Sequence, residues 1–231
     1  MQANQPRPVR LAEVEQRIEQ ACLKAGRKRD EVVLLGVSKT RSVDEIRTLY
    51  GAGLTRFGEN YVAEAIEKLD RLTDLKPQWH FIGPVQSNKT RILAERFDWV
   101  QSIDRAKIIR RLGEQRSPEQ NALNVLIQVN IDHEDQKSGC DPEQVDRLTE
   151  AIAGQPTLCL RGLMAIPSAN QAPFSTRQAF ARLRALYEHL QGRHCAVDTL
   201  SMGMSGDLED AIAEGSTMVR IGTSLFGPQV D

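Results

Sequence analysis

The chain contains 231 residues, of which 40% are hydrophobic, and its 30 basic and 31 acidic residues give a formal net charge of −1. This length supports a sizeable core, and the balanced charge predicts no general attraction to nucleic acid or to an anionic membrane surface. The first ten residues are polar and no apolar run approaches the roughly 20 residues of a membrane span. Four scattered cysteines without a CxxC pair favour free thiols in a cytoplasmic protein.

The predicted elements begin with a helix over about residues 9–26, where apolar residues recur at helical spacing. Eight apolar or β-branched runs follow it, and helical periodicity follows each of the first seven runs. The predicted strands lie at residues 32–39, 55–60, 79–83, 99–103, 125–130, 158–166, 199–204 and 218–222. The predicted helices between them lie around residues 42–52, 62–69, 88–96, 108–112, 141–153, 175–190 and 207–214.

Strands that alternate with helices indicate βαβ units and a parallel sheet. Eight such units in this length predict an α/β fold, a single (β/α)₈ barrel of the TIM type over residues 1–231. An open, doubly wound sheet is the alternative, but no GxGxxG turn follows the first predicted strand. No helix is predicted after the eighth strand, so we expect the leading helix to pack in the outer ring.

Lys39 ends the first predicted strand, and the carboxyl ends of barrel strands are where this fold carries its chemistry. An amine at the mouth of an apolar core loses its proton more readily than an amine in water. A neutral lysine amine can form a Schiff base with a carbonyl compound. On position alone, the simpler interpretation is an ordinary lysine that extends into solvent.

The ends of the seventh and eighth strands predict a phosphate site. Ser205 and Gly206 join a strand to a helix, so their backbone amides are expected to point at an anion. Gly222 and Thr223 add further amides and a hydroxyl donor at the next strand end. Each segment alone is equally compatible with helix capping and a strand-end glycine, but barrels of this type often bind phosphate after these two strands.

Arg220 lies two residues before Gly222, and the period of two in a strand places both on one face, toward the barrel interior. A buried guanidinium needs an acceptor, which is either a carboxylate such as Glu59 or a ligand atom such as a pyridine nitrogen. A lysine amine, a phosphate site and an inward arginine together predict a site for pyridoxal 5′-phosphate (PLP). A phosphorylated aldehyde or a phosphosugar would satisfy the first two features.

Six segments, in order along nearly the whole chain, resemble the pyridoxal phosphate homeostasis proteins (the YggS/PROSC family). They are residues 35–40 (LGVSKT), 56–61 (RFGENY), 79–89 (WHFIGPVQSNK), 162–167 (GLMAIP), 200–205 (LSMGMS) and 220–223 (RIGT). The resemblance implies a fold-type III PLP-binding barrel, related to the N-terminal domain of alanine racemase but without its C-terminal β-domain.

By this resemblance, Lys39 holds PLP as an internal aldimine, Ser205, Gly222 and Thr223 contact the phosphate, and Arg220 faces the pyridine nitrogen. Asn60 and His80 are implied to line or brace the pocket. We place Met204 and Glu59 behind the residues that touch the cofactor, together with His80.

Lys137, in the loop after the fifth strand, is a candidate for a transient contact during cofactor exchange, although a solvated loop charge is the simpler interpretation. No histidines lie at metal-ligand spacing, so no metal site is predicted.

An arginine opposite the ring nitrogen keeps that nitrogen unprotonated, which weakens the ring as an electron sink. A racemase also needs a second acid–base group, and Tyr61 is the only tyrosine at a predicted strand end. These features favour a non-enzymatic protein that binds the cofactor. The resemblance implies a role in intracellular PLP (vitamin B6) homeostasis, in which the protein buffers the cofactor or delivers it to apo PLP-dependent enzymes. A weak amino-acid racemase and a cofactor-free Schiff-base aldolase are the alternatives. We expect a monomer, because the missing domain removes much of the interface typical of this fold type.

Overall fold

The computed structural model describes residues 6–132, 138–167 and 173–228. Within them, eight parallel strands close into one barrel in chain order, with the last strand paired to the first. The strands are β1 Val33–Val37, β2 Arg56–Glu59, β3 Gln78–Phe81, β4 Trp99–Ile103, β5 Leu123–Gln128, β6 Leu158–Met164, β7 Thr199–Ser201 and β8 Met218–Ile221. The predicted (β/α)₈ barrel is confirmed, and every observed strand overlaps its predicted run.

Helices surround the barrel. They are α1 Arg7–Lys24, α2 Val43–Gly51, α3 Val62–Arg71, α4 Thr90–Arg96, α5 Ala106–Gln115, α6 Val145–Ala153, α7 Pro173–Gln191, α8 Leu208–Ala213 and α9 Thr223–Phe226. Short 3₁₀ helices lie at Arg29–Glu31, Ser87–Lys89 and Pro142–Gln144. Local sequence explains some of the boundaries: the Ser42 side chain accepts from the Glu45 amide at the start of α2, and the Glu45 side chain accepts from the Ser42 amide in return.

The leading helix α1 packs against α2, α8 and α9, as expected for a helix that belongs to the outer ring. The expectation that no helix follows β8 is wrong, because α9 forms a single turn there. The Gly222 carbonyl accepts from the amides of Leu225 and Phe226, and both of these side chains are buried. Burial of these two apolar side chains stabilises a turn that is too short to form by itself.

Seven of the eight strands end one to three residues earlier than predicted, and β1 and β7 show the physical reason. β1 ends at Val37 because the chain turns immediately afterwards, where the Arg41 amide donates to the Ser38 carbonyl over 3.1 Å. β7 ends at Ser201, and Gly203 then adopts a φ of 96° that removes the chain from the sheet. The carboxyl ends of β1 and β7 therefore continue as loops at the mouth of the barrel.

The apolar core has two parts. The larger part fills the space between the strands and the surrounding helices, and it contains fully buried side chains such as Phe57 and Phe180. A small apolar cluster of Trp99, Leu126 and Met164 lies apart from it, inside the barrel. Buried polar side chains occupy much of the remaining interior, and they are His80, Gln101, Ser201 and Arg220.

The end of the barrel opposite to Lys39 is closed by a stack of side chains. The Trp99 ring lies parallel to the His80 ring, with 5.0 Å between the centroids, and the Arg161 guanidinium lies 5.0 Å from the Trp99 centroid. Arg161 also donates to Asn124 Oδ1 and pairs with Asp198. Trp99 begins β4, Asn124 is the second residue of β5 and Asp198 precedes β7, so the stack lies toward the amino-terminal end of the barrel.

Gly162 in β6 provides a test of the closed sheet. Its φ is 142°, and a Cβ atom there would lie 1.9 Å from the Thr199 carbonyl oxygen of β7. We therefore expect Gly162→Ala to lower the free energy of unfolding by about 2 kcal/mol or more, measured by urea denaturation. Gly51→Ala, where no atom lies within 4 Å, is the control and should be neutral or slightly stabilising. Equal stabilities for the two variants would contradict the observed strand contact.

Candidate functional site

Lys39 lies in the turn after β1, at the carboxyl end of the barrel. The hydrogen bond between the Arg41 amide and the Ser38 carbonyl closes this turn around Lys39 and Thr40. Thr40 has a φ of 62°, a left-handed conformation that is rare for a β-branched residue. The Lys39 side chain is exposed, and within the described ranges it forms no hydrogen bond or ion pair. The turn thus presents the Lys39 amine at the mouth.

A buried ionic cluster holds this turn from behind. We call Ser38, Glu59, Glu64 and Lys68 the Lys68 cluster. The Lys68 amine donates to the Ser38 carbonyl over 2.6 Å, to Glu59 Oε1 over 2.8 Å and to Glu64 Oε1. Ser38 Oγ donates to the same Glu59 oxygen, and the Thr40 amide donates to Glu64 Oε1. The main chain is therefore fixed on both sides of Lys39.

Glu59 belongs to this cluster and not to the barrel interior. Glu59 forms an ion pair with Lys68, and its predicted pairing with Arg220 is wrong. Glu59 points from β2 toward α3, whereas Arg220 points into the barrel. Burial raises the pKa of the Glu59 carboxyl, and the charge of Lys68 acts in the opposite direction. Glu59 thus supports the Lys39 turn through Ser38 and Lys68.

Asn60 follows β2 and offers an unused acceptor. Its Oδ1 atom is buried and has no hydrogen-bond partner in the part of the chain that the structure describes. Gly83, after β3, allows the two strand ends to approach, because a Cβ atom at Gly83 would lie 2.1 Å from the Asn60 carbonyl oxygen. A buried acceptor without a partner is costly, so a bound ligand that donates a hydrogen bond to it would remove that cost.

The loop after β7 lies beside Arg220, whose amide donates to the Gly203 carbonyl. Asp207 Oδ1 accepts from the Met204 amide over 2.6 Å, so that amide is already paired and Asp207 does not cap α8 with its side chain. The amides of Ser205 and Gly206 donate to no backbone acceptor among the described residues, and Gly206 is exposed. Two amides of this loop therefore remain for a ligand.

Gly222 and Thr223 lie at the end of β8, next to the end of β1. The ladder aligns Gly36 with Ile221, and a Cβ atom at Gly222 would lie 3.5 Å from the Val37 carbonyl oxygen. Thr223 is exposed at the start of α9, where the first amides of a helix have no partner within the helix. The two predicted phosphate segments therefore lie at the same end of the barrel as Lys39.

Arg220 is 3% exposed and points into the barrel. Its Nη1 atom donates to Ser201 O over 2.8 Å and to Ser201 Oγ over 2.7 Å, and its Nη2 atom donates to Ala165 O over 2.8 Å. No ion pair involving Arg220 is present in residues 6–132, 138–167 and 173–228. Burial lowers the pKa of the Arg220 guanidinium to about 10, and the charge of Asp207 opposes this shift. The guanidinium is thus charged, held by neutral oxygens, and has donors to spare.

The remaining predicted residues are separated by the fold. His80 is fully buried inside the barrel, hydrogen-bonded to Gln78 and Gln101, whereas Met204 is 36% exposed at the mouth. Lys137 lies outside the described residues.

In the described ranges, no group of three or more His, Cys, Asp or Glu side chains is placed to bind a metal ion. No helix in these ranges is long and apolar enough to cross a membrane.

Sequence reasoning missed Lys68, Glu64, Gln101 and Ser201. Lys68 lies beside Leu69 and three residues after Ala65, on the face of α3 that packs against the barrel, so helical spacing could have identified it as buried. Gln101 and Ser201 each lie in a predicted strand, but their burial follows from the face they occupy. A polar residue within an otherwise apolar run was the available signal in both strands.

The Lys68 cluster makes a prediction about stability. Lys68→Met leaves the Glu59 carboxylate buried without its cation, and we expect a loss of about 3–5 kcal/mol at neutral pH, measured by urea denaturation. Arg110→Met is the matched control, because Arg110 and Glu114 form an exposed pair; it should change stability by less than about 0.5 kcal/mol.

The loss in Lys68→Met should shrink as the pH falls. Without Lys68, burial and the nearby Glu64 charge still raise the folded-state pKa of Glu59, and only the Ser38 hydrogen bond opposes them. The pKa therefore rises further above the unfolded value. Between these two pKa values the folded state binds a proton that the unfolded state has released, so stability decreases as pH rises through this interval. A loss that is independent of pH would show that Glu59 is not the group left unpaired.

Comparison with known proteins agrees with this geometry. The sequence profile of the alanine racemase N-terminal domain matches residues 9–230. The pyridoxal phosphate homeostasis protein of Pasteurella multocida is 49% identical over 221 residues, which cover 94% of this chain and 95% of that protein. The protein of the same name from Pseudomonas aeruginosa is 53% identical over 217 residues, covering 94% and 93%. The structure of PipY from Synechococcus elongatus with PLP bound is 33% identical, has a TM-score of 0.83 and covers 96% of this chain and 100% of that one. The chain therefore belongs to the alanine racemase N-terminal domain family and is a member of the pyridoxal phosphate homeostasis proteins.

Proposed function

We propose that this chain binds PLP covalently through Lys39 and takes part in intracellular PLP homeostasis, as a buffer or a donor of the cofactor. The observation that carries the proposal is the convergence of Lys39, the unpaired Asn60 oxygen and the Arg220 guanidinium at one end of the barrel. The names of the relatives and the PLP found in PipY support it.

The residues at the mouth fit the chemistry of PLP. When bound, PLP supplies an aldehyde that condenses with an amine and a ring that can delocalise charge. Lys39 would provide the amine, and the phosphate would be received by the backbone of Ser205, Gly206, Gly222 and Thr223. Asn60 Oδ1, which is buried without a partner, would accept from a donor on the ligand or its solvent shell.

Arg220 would donate to the ring nitrogen. Because no carboxylate among the described residues forms an ion pair with Arg220, the positive charge of the guanidinium is available to the ligand. A second cation, a protonated ring nitrogen, would be repelled at that position. Arg220 therefore favours an unprotonated ring, which is suited to storage of the cofactor and less suited to carbanion chemistry.

We infer that the protein is a carrier and not a racemase. Racemisation needs a second acid–base group at the site. Tyr61 follows Asn60 but is 57% exposed. Tyr187 belongs to α7 and is buried, and burial raises its pKa to about 12. The names of the relatives refer to homeostasis and not to an enzymatic activity. Chiral analysis of alanine after incubation with the PLP-loaded protein should show no interconversion beyond that of free PLP.

The remaining parts of the proposal concern partners. Lys39, Met204 and Thr223 are exposed, which supports release of the cofactor from the mouth to apo PLP-dependent enzymes. We also propose a monomer located in the cytoplasm and an exchange contact at Lys137. Reactivation of an apo aminotransferase by the loaded protein, faster than by free PLP at equal concentration, would support delivery; an equal rate would leave buffering as the role.

Covalent attachment provides the direct test. After incubation with PLP and reduction with borohydride, peptide mapping should find the pyridoxyl group on Lys39, and Lys39→Ala should lose both this label and the visible absorption band. Lys89→Ala is the matched control, because Lys89 is also exposed and also follows a strand. In the Lys89→Ala variant, the pyridoxyl label on Lys39 should be unchanged. A labelled lysine other than Lys39 in the unmodified protein would refute the assignment.

A further inference from the structure

A continuous chain of side-chain hydrogen bonds crosses the barrel interior from Arg220 to the sealed end. Arg220 Nη1 lies 2.7 Å from Ser201 Oγ, which lies 2.7 Å from Gln101 Oε1. Gln101 Nε2 lies 2.9 Å from His80 Nδ1, and His80 Nε2 lies 3.1 Å from Gln78 Oε1. The chain joins strands β8, β7, β4 and β3, and four of its five members are buried. Nothing in the assignment of cofactor contacts requires this chain.

The partners fix the direction of every hydrogen bond. Arg220 can only donate, so Ser201 Oγ accepts from it and gives its own proton to Gln101 Oε1. The two hydrogens of Gln101 Nε2 then point at His80 Nδ1 and at Met218 Sδ, 3.2 Å away. Gln101 cannot reverse its amide without losing both acceptors. All donors of the chain therefore point away from Arg220.

His80 is the acceptor on which this direction depends. Its Nδ1 atom must be unprotonated to accept from Gln101, and its Nε2 atom donates to Gln78. Burial lowers the pKa of His80 to about 3, and the positive charge of Arg56 acts in the same direction. A neutral imidazole can carry its proton on Nε2, and this is the tautomer that its two neighbours require.

The chain also explains how a lone guanidinium is oriented. A carboxylate would bind Arg220 in a fixed plane but would reduce the charge available to a ligand. Here Ala165 O and the two Ser201 oxygens take that place without adding negative charge. Donation of the Ser201 hydroxyl proton to Gln101 fixes the rotation of that hydroxyl, so that a lone pair faces Arg220. The orientation of the guanidinium is thus linked to residues far from the mouth.

We propose that Ser201, Gln101 and His80 are positioning residues that direct the Arg220 guanidinium at the ring nitrogen of the cofactor. The inference rests on the proposed function. None of the three is among the residues proposed to hold the aldehyde or the phosphate, so we expect their contribution to be confined to recognition of the ring nitrogen. A ligand without that nitrogen should be insensitive to all three.

The test compares two non-covalent ligands by calorimetry. Pyridoxine 5′-phosphate has the ring nitrogen but no aldehyde, and its 1-deaza analogue has a C–H group in place of the nitrogen. The unmodified protein should prefer the first ligand. Gln101→Met should reduce this preference about tenfold, as expected when one charge-assisted hydrogen bond is misdirected, with the affinity for the deaza analogue unchanged. Ser201→Ala, a smaller change, should act in the same direction.

His80 has a pair of variants that separate its hydrogen bond from its volume. Asn can place an oxygen near the position of Nδ1, so His80→Asn should retain the preference, whereas His80→Leu should lose it. Leu126→Ala is the control for stability, because Leu126 is buried inside the barrel but does not take part in the chain of hydrogen bonds. It should weaken folding without changing the preference.

Different outcomes refute different statements. If the unmodified protein binds PLP but does not discriminate between the two ligands, the inference fails and the proposed function stands. If it binds none of the three compounds, both fail. The preference for pyridoxine 5′-phosphate over the deaza analogue could be unchanged in both Gln101→Met and Ser201→Ala, or it could be lost equally in Leu126→Ala. Either result would show that the chain of hydrogen bonds serves only the packing of the barrel.

Discussion

The hydrogen-bond ladder between β1 and β8 is the contact on which the candidate site depends. It aligns Leu35 with Arg220 and Gly36 with Ile221, and so brings the first and last strands of the sheet together. In an open sheet these two strands could lie at opposite edges, with Lys39 far from Gly222. No local interaction can replace this pairing, because the loop that it closes spans almost the whole chain. The site therefore exists only when the barrel is complete, and a variant that weakens closure would affect the site and the fold together.

The two buried basic groups near the mouth are stabilised in opposite ways. Lys68 is paired with Glu59 and Glu64, so its charge is largely neutralised and its three hydrogen bonds are spent on the main chain and the carboxylates. Arg220 is bound by neutral oxygens, so its charge is retained. Desolvation penalises both arrangements. The first arrangement fixes the backbone around Lys39, while the second keeps a positive charge inside the barrel, near the mouth.

Sequence patterns predicted the elements well because most strands lie in segments rich in apolar or β-branched residues and each long helix has an apolar face. The same patterns located Lys39, Arg220 and Gly222 at one end, since parallel strands share their direction. They failed where partners are distant along the chain. Ser201 binds Gln101 across the barrel, and the partner of Glu59 lies on a helix, so neither contact follows from spacing within one element. The turn after Val37 and the helix α9 depend on contacts of the same kind.

The stack of Arg161, Trp99 and His80 gives the barrel a blind end. A small molecule that reaches Lys39 must leave by the opening through which it entered. Binding and release therefore use the same end of the barrel and cannot be regulated separately from opposite faces of the protein. A loop or another protein that covers this opening would block both the entry and the exit of the ligand. If the cofactor is transferred to a recipient protein through this opening, it must leave before a second ligand can reach Lys39.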